Sequence, residues 1–240
     1  MIRVFIGYDP VEAGTFNVLS HSIHRRASEP VSITPIMLSQ LNKLMWRDRD
    51  PLQSNDFSFS RFLVPYLSGY EGWSIWMDCD MVVLDDIVNL FNCKDDKYAV
   101  MCVKHNHVPK ETTKYLGTKQ TAYEKKNWSS VMLFNNAKCK ALTPEYINNE
   151  ATGLDLHQFK WLNDDSLIGE IPSRWNHLVD YDQPIEDPAL LHYTIGGSYF
   201  KDYEECGYKD VWYEELKASL HIQNSSQKLK EIHAIITGKN

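Results

Sequence analysis

Asp78 and Asp80 stand one residue apart inside an apolar run, Trp73-Ser74-Ile75-Trp76-Met77-Asp78-Cys79-Asp80-Met81-Val82-Val83-Leu84. An apolar stretch of this length, bounded by Gly72 and Asp85-Asp86, reads as one strand buried on both faces. Two carboxylates in such a place are costly unless something positive faces them, and a divalent cation is the simplest partner. Side chains alternate along an extended chain, so both carboxylates are expected on one side, able to grip one metal or a metal and a ligand hydroxyl. Most Asp-x-Asp pairs are solvated loop residues, and the pair alone is a weak signal. The apolar strand that leads into this copy sets it apart.

Several other side chains could share that chemistry. Arg61 lies in a helical pattern, Ser58 to Leu67, whose Phe62, Leu63 and Tyr66 face inward. It is either a surface charge or a cation placed to pair with an aspartate or a ligand oxygen. His192 follows the short strand Leu190-Leu191 and precedes Gly196-Gly197. A lone histidine there is usually a core residue, yet imidazole can complete a coordination sphere begun by carboxylates. The paired glycines would let backbone amides approach a phosphate. His105 and His107, at strand spacing, form a weaker metal candidate. Asn127-Trp128-Ser129-Ser130 enters the strand Val131 to Phe134, as a sugar-contacting edge or as an ordinary loop-to-strand entry. Asp164-Asp165 precedes an apolar turn, where an acidic pair is often only a helix cap.

The elements that must position these residues follow an α/β pattern. Ile2 to Ile6 is a buried strand ending in the turn chemistry of Gly7-Tyr8-Asp9-Pro10. A helix is expected from Glu12 to about Arg26, then a strand from Val31 to Leu38 despite Pro35. Strand, helix, strand at this spacing predicts a parallel sheet. Ligands in such sheets collect at the carboxyl ends of strands, which is where Tyr8-Asp9 and Asp78-Cys79-Asp80 fall. Tyr98 to Val103 is a further strand, Pro144 to Leu162 is expected to be partly helical, and Tyr208 to Leu220 reads as an amphipathic helix. Lys110 to Lys126 is polar without an apolar face, as in a loop over a site.

The bulk composition bounds the function. With 240 residues and 43% hydrophobic content, one core and one domain, 1–240, are expected. A net charge of −7 without a basic stripe argues against nucleic-acid binding. Five cysteines, scattered without CxxC spacing, disfavour a disulfide framework or zinc site and suit reduced thiols in the cytoplasm. The N-terminus runs straight into a strand pattern rather than a signal peptide, and no apolar stretch is long enough to span a bilayer.

Six segments together resemble a small glycosyltransferase of the GT-A (Rossmann-like) fold, nearest the family 8 group of lipopolysaccharide galactosyltransferases and glycogenin-like enzymes. They are Phe5 to Asp9, Phe59 to Pro65, Trp76 to Asp80, Asn127 to Asn135, Leu162 to Asp165 with Pro172 and Trp175-Asn176, and His192-Tyr193-Thr194; they occur in the family's order. The resemblance implies an α/β fold with a mostly parallel central sheet flanked by helices, and a helical C-terminal segment from about residue 208. It also implies a UDP-sugar donor, Mn²⁺ or Mg²⁺, retention of configuration, and a glycan or other hydroxyl acceptor. Tyr8 and Asp9 would meet the uridine. Asp78, Asp80 and His192 would hold the metal, with Asp78 also near the ribose. Gly196 and Gly197 would face the diphosphate, a leaving group that needs charge stabilisation. Arg61, Trp128, Ser129 and Asp164 would grip the sugar, and Asp165 would face its reactive carbon. Better-known bacterial members carry glutamine at the Asp165 position, so both a front-face route and a double displacement through a carboxylate stay open. The lysine that usually follows the histidine and contacts the diphosphate is replaced by Ser198-Tyr199-Phe200, and Lys201 is a few residues out of register.

Two rivals share the motif. A haloacid-dehalogenase-like phosphatase also runs an apolar strand into Asp-x-Asp, although normally on its first strand. A non-catalytic nucleotide-sugar-binding module would account for the missing lysine.

Overall fold

The computed structural model describes residues 1–50, 53–106, 113–117, 123–220 and 234–235. His107, about half of the 110–126 loop and nearly all of the polar tail beyond residue 223 fall outside these. In chain order the regular elements are β1 (Ile2–Tyr8), α1 (Ala13–Arg26), β2 (Val31–Met37), α2 (Val64–Leu67), β3 (Trp73–Met77), β4 (Met81–Val83), α3 (Ile87–Phe91), β5 (Val100–Cys102), β6 (Val131–Asn135), α4 (Gly153–His157), β7 (Ile168–Glu170), β8 (His177–Leu178), β9 (Leu190–His192) and α5 (Lys209–Ser219). Among the described residues no helix is long and apolar enough to cross a membrane.

Six strands form the central sheet in the order β2-β1-β3-β6-β5-β7. The β1–β2, β1–β3 and β5–β7 pairs are parallel; β6 alone opposes its neighbours β3 and β5. Pro35 is tolerated because β2 is the edge strand, where a missing N–H costs no ladder bond on the open side. On α1, Thr15, Val18, Leu19, Ser22 and Ile23 are buried, a stripe at helical spacing that faces the core. Its last turn carries His24, Arg25 and Arg26, cations suited to the negative end of the helix dipole.

Residues 73–84 are not the single strand that their continuous apolar character predicts. The chain leaves one sheet and enters another at the two aspartates. β3 ends its ladder with β6 at Met77 opposite Val131, and the Asp78 N–H still donates to Ser130 O at 3.0 Å. The Tyr193 N–H donates to Asp80 O at 2.9 Å, which opens a second, three-stranded sheet ordered β4-β9-β8. Cys79, fully buried, joins the two. Hydrophobicity reports burial, and both strands are buried, so the switch of sheets left no trace in composition.

The predicted helix from Ser58 to Leu67 is a 3₁₀ turn, Ser60–Leu63, followed by the single turn of α2. Arg61 within it is 4% exposed, which removes the surface-charge option. Between Pro144 and Leu162 the chain makes one π-helical turn, Tyr146–Glu150, and then α4, which starts at a Thr152–Asp155 capping box.

Candidate active site

The crossover brings Asp78, Asp80 and His192 together, with one ligand atom from each lying within 4.8 Å of the others. Register accounts for the third member: His192 pairs with Met81, one residue past Asp80. All three are buried. A chain of hydrogen bonds fixes the imidazole. Ser130 Oγ donates to Asn127 O at 2.7 Å, and Asn176 Nδ2 donates to Ser130 Oγ at 2.9 Å. That leaves Asn176 Oδ1 as the acceptor facing His192 Nδ1 at 2.9 Å, so Nδ1 must carry the proton. With Nδ1 so engaged, Nε2 faces Asp80 Oδ1 3.4 Å away, and in the neutral form that metal ligation needs it presents its lone pair there. Asp80 Oδ1 is buried and has no hydrogen-bond partner.

In that form the two groups are acceptors facing each other in a buried place, which calls for a positive charge between them: a proton on Nε2 or a metal ion. Two carboxylates and an imidazole with a fixed tautomer fit a divalent metal, with Asn176 as the outer partner that orients the ring. The two aspartates are tuned apart. Burial raises the Asp78 carboxyl against the opposing pull of Arg61. For Asp80 burial also acts upward, but His192 and Lys114 outweigh it and hold the group below its usual value.

These residues line one side of a cavity of about 570 Å³, within the range of about 300–1,000 Å³ usual for small-molecule sites. Arg61 braces the wall. Its Nη1 pairs with Asp78 Oδ1 at 2.8 Å and donates to Ser129 O at 2.8 Å, while Nε donates to Ser58 O at 3.1 Å. Trp76 Nε1 adds a bond to Asp78 Oδ1 at 3.1 Å. On another wall Ser129 Oγ meets His157 Nδ1 at 2.8 Å. Burial, with Arg61, Lys126 and Arg47 nearby, pushes His157 well below its ordinary value, so the ring is neutral. Two further cations, Lys114 and Lys126, line the cavity; burial lowers both, Lys126 to about 7.

Of the residues singled out in the sequence, Arg61, Asp78, Asp80, Asn127, Ser129, Ser130 and His192 meet at this cavity, whereas Tyr8, Asp9, Trp128, Asp164, Asp165, Gly196 and Gly197 stand outside its lining. Tyr8 packs edge-on against Phe16. Asp9 spends its carboxylate on the N–H groups of Val11 and Asp56, at 2.9 and 3.0 Å. Trp128 Nε1 donates to His105 O at 2.8 Å. Asp164 caps a 3₁₀ turn by accepting from the Ser166 N–H and hydroxyl. Asp165 is exposed and paired with Lys125 at 2.7 Å. Gly196 and Gly197 lie under the Tyr203 and Tyr199 rings, where a Cβ would collide. The sequence reading placed Asn127 in a sugar-contacting edge and quoted Asn176 without a role, and it missed His157, Lys114 and Lys126 as individual lining residues. The Thr152-x-x-Asp155 box was a usable signal for where α4 begins and hence for His157 on it.

No protein-family model matches the chain. Protein CDI of Arabidopsis thaliana is 48% identical over 224 residues, covering 90% of this chain and 86% of that protein. The chain belongs to the Protein CDI family. Among solved structures, this CDI-family chain is similar to the bifunctional glycosyltransferase WbbM, with a TM-score of 0.68 at 14% identity. That match covers 96% of the chain and 51% of WbbM, so the chain spans about half the WbbM length. It is similar to the glycosyltransferase GlyE of Streptococcus pneumoniae TIGR4 (TM-score 0.60, 17% identity, 96% of the chain and 63% of GlyE). The galactosyltransferase LgtC, solved with donor and acceptor sugar analogues, matches with a TM-score of 0.55 at 10% identity over 96% of the chain and 99% of LgtC. The CDI-family chain thus has the mixed α/β, mostly parallel fold of GT-A glycosyltransferases. At such identities the likeness is one of fold, and activity must be argued from the site.

Proposed function

We propose that the protein is a metal-dependent glycosyltransferase that takes a UDP-linked sugar and passes the sugar, with retention, to the hydroxyl of a glycan or other acceptor. The observation that carries this reading is the convergence of Asp78, Asp80 and His192, with a buried Asp80 Oδ1 that has no hydrogen-bond partner facing His192 Nε2, on the wall of a ligand-sized cavity. Asp78, Asp80 and His192 would hold Mn²⁺ or Mg²⁺. The metal would supply positive charge to the departing diphosphate. Arg61 acts through Asp78 and the Ser129 carbonyl, keeping one metal ligand and one sugar-facing wall in fixed relation. Ser129, the neutral His157 and the unpartnered Nδ2 of Asn127 offer hydrogen bonds that suit sugar hydroxyls. Asp9 works at one remove, by holding the Asp56 N–H and with it the 53–58 segment that contributes to the lining. Five unpaired cysteines are in keeping with a cytoplasmic location.

A thermal-shift panel tests the reading. UDP with Mn²⁺ is expected to raise the melting temperature, UDP with chelator much less, and Asp80→Ala should erase the difference. A UDP shift indifferent to chelator would overturn the metal assignment. Turnover separates the rivals: consumption of a UDP-sugar marks the transferase, release of phosphate from a generic phosphomonoester the phosphatase, and tight UDP binding without turnover the binding module.

A further inference from the structure

Asp164 and Asp165, the carboxylates expected against the donor sugar, stand outside the cavity, and Asp165 is held by Lys125. The wall next to Ser129 is made instead by the start of α4, with Thr152, Gly153, Leu154 and His157 in the lining. This turn is firmly seated. The Thr152–Asp155 capping box fixes where it begins, and a Cβ on Gly153 would meet the Phe59 ring at 2.7 Å. That close approach sets His157, at the end of the turn, against Ser129. From Ser129 the contacts run on to the metal cluster. Its carbonyl accepts from Arg61 Nη1 at 2.8 Å, and the same nitrogen pairs with Asp78 Oδ1 at 2.8 Å. One residue and one guanidinium therefore separate the imidazole from a metal ligand.

Aromatic rings hold the imidazole in place. Phe62 packs edge-on at 5.4 Å, and Phe59 and Tyr123 each lie 6.1 Å away, centre to centre. Nδ1 meets Ser129 Oγ at 2.8 Å, the ring's one hydrogen bond among the described residues. Nε2 has no partner there and is not sealed from solvent, and the half-buried ring lines the cavity. The ring is neutral, so it offers a metal-bound diphosphate no charge. Ser129 Oγ also has no other partner among the described residues, and a hydroxyl can donate or accept. When it donates to Nδ1, Nε2 carries the proton and faces the cavity as a donor. When it accepts from Nδ1, Nε2 faces the cavity as an acceptor. A group that serves in either sense matches a sugar hydroxyl, which also does both.

We infer that His157, through Nε2, is a specificity-determining residue that reads one hydroxyl of the donor sugar, with Ser129 setting the sense of that bond. This rests on the reading of the cavity as a nucleotide-sugar site. A site built to bond a hydroxyl rejects a sugar that lacks it or turns it away, because the site's own polar group is then left unpaired.

Calorimetric titration of the full chain with Mn²⁺ and UDP-glucose, UDP-galactose or UDP-xylose tests it, with UDP as the sugar-free reference. Glutamine can place an amide atom near the position of Nε2, and asparagine near that of Nδ1, so the two variants separate the two ends of the ring. His157→Asn keeps a partner for Ser129. It should weaken binding of the preferred UDP-sugar about tenfold, narrow the preference among the sugars and leave UDP binding as in the parent. His157→Gln should recover part of the loss. A residue kept only for structure would behave the other way, with asparagine the better replacement and UDP affected as much as the UDP-sugars. A second measurement needs no variant. In the parent labelled with heavy nitrogen, with Mg²⁺ as the metal, the Nε2 resonance of His157 should shift on adding the preferred UDP-sugar and hold on adding UDP. UDP-sugar binding unchanged in His157→Asn, or a His157 Nε2 resonance indifferent to the sugar, overturns the inference and leaves the proposed function standing. A parent that binds UDP but no UDP-sugar, or neither, overturns the donor reading and the inference with it.

Discussion

At the scale of single residues, the site depends on which ring nitrogen of His192 carries a proton. Asn176 decides it, because its amide nitrogen is held by Ser130 and its oxygen must accept. Replacing Asn176 with Leu frees the ring, and Mn²⁺ affinity measured by calorimetry should drop about 10–100-fold. Asn176→Asp keeps an acceptor against Nδ1 and should retain most of the affinity. Asp78, Asp80, Arg61, Ser129 and His192 were legible in the sequence because charge or hydroxyl stood next to buried apolar runs. Lys114, Lys126 and His157 were not. In a polar stretch no periodicity says which side chains turn inward, and Lys125 and Lys126 are adjacent with opposite fates.

At the scale of elements, β1 and the 53–61 segment meet at Gly7. A Cβ there would overlap the Phe57 ring, which packs 6.0 Å from the Trp76 ring and 5.5 Å from the Arg61 guanidinium carbon, centre to centre or carbon. Gly7→Ala should therefore cost about 1–3 kcal/mol by denaturant unfolding and weaken Mn²⁺ binding through the displaced Arg61. The opening strand, helix, strand unit was readable from its periodicity, as was α5. The direction of β6 was not, since a strand buried on both faces has the same composition whichever way it runs. The glycines after His192 suggested a phosphate turn; the Tyr203 and Tyr199 rings also leave no room for a Cβ at either position.

On the scale of the whole molecule, two buried clusters share α1. Leu19 and Ile23 belong to the larger one under the central sheet. Val18 belongs to the smaller one, with Val82, Leu191, Tyr193 and Trp212. One buried carboxylate, Glu215 of α5, clasps α1 by accepting from His21 at 2.5 Å and pairing with Arg26 at 2.9 Å and Arg25 at 3.5 Å. Its three partners keep some contact with water, which limits the loss when it is removed. Glu215→Ala should lower unfolding stability by about 1.5–3 kcal/mol and loosen α5 first. Pairings this distant in sequence, between residues 21 and 215, cannot be read from spacing, whereas the overall layering of sheet and helices could.

The crossover at Cys79 gives a bound cation a mechanical role. One of its ligands would hang from the end of β3 and the other two from the antiparallel β4–β9 pair, so the ion would add a tie between two sheets already joined by the chain at Cys79 and by the Asn176–Ser130 hydrogen bond. Sliding one sheet past the other would stretch metal–ligand distances, and the loaded protein should resist that shear. Amide exchange at residues 81–83 and 190–192 should slow on Mn²⁺ loading by more than exchange in β1, which touches neither ligand set.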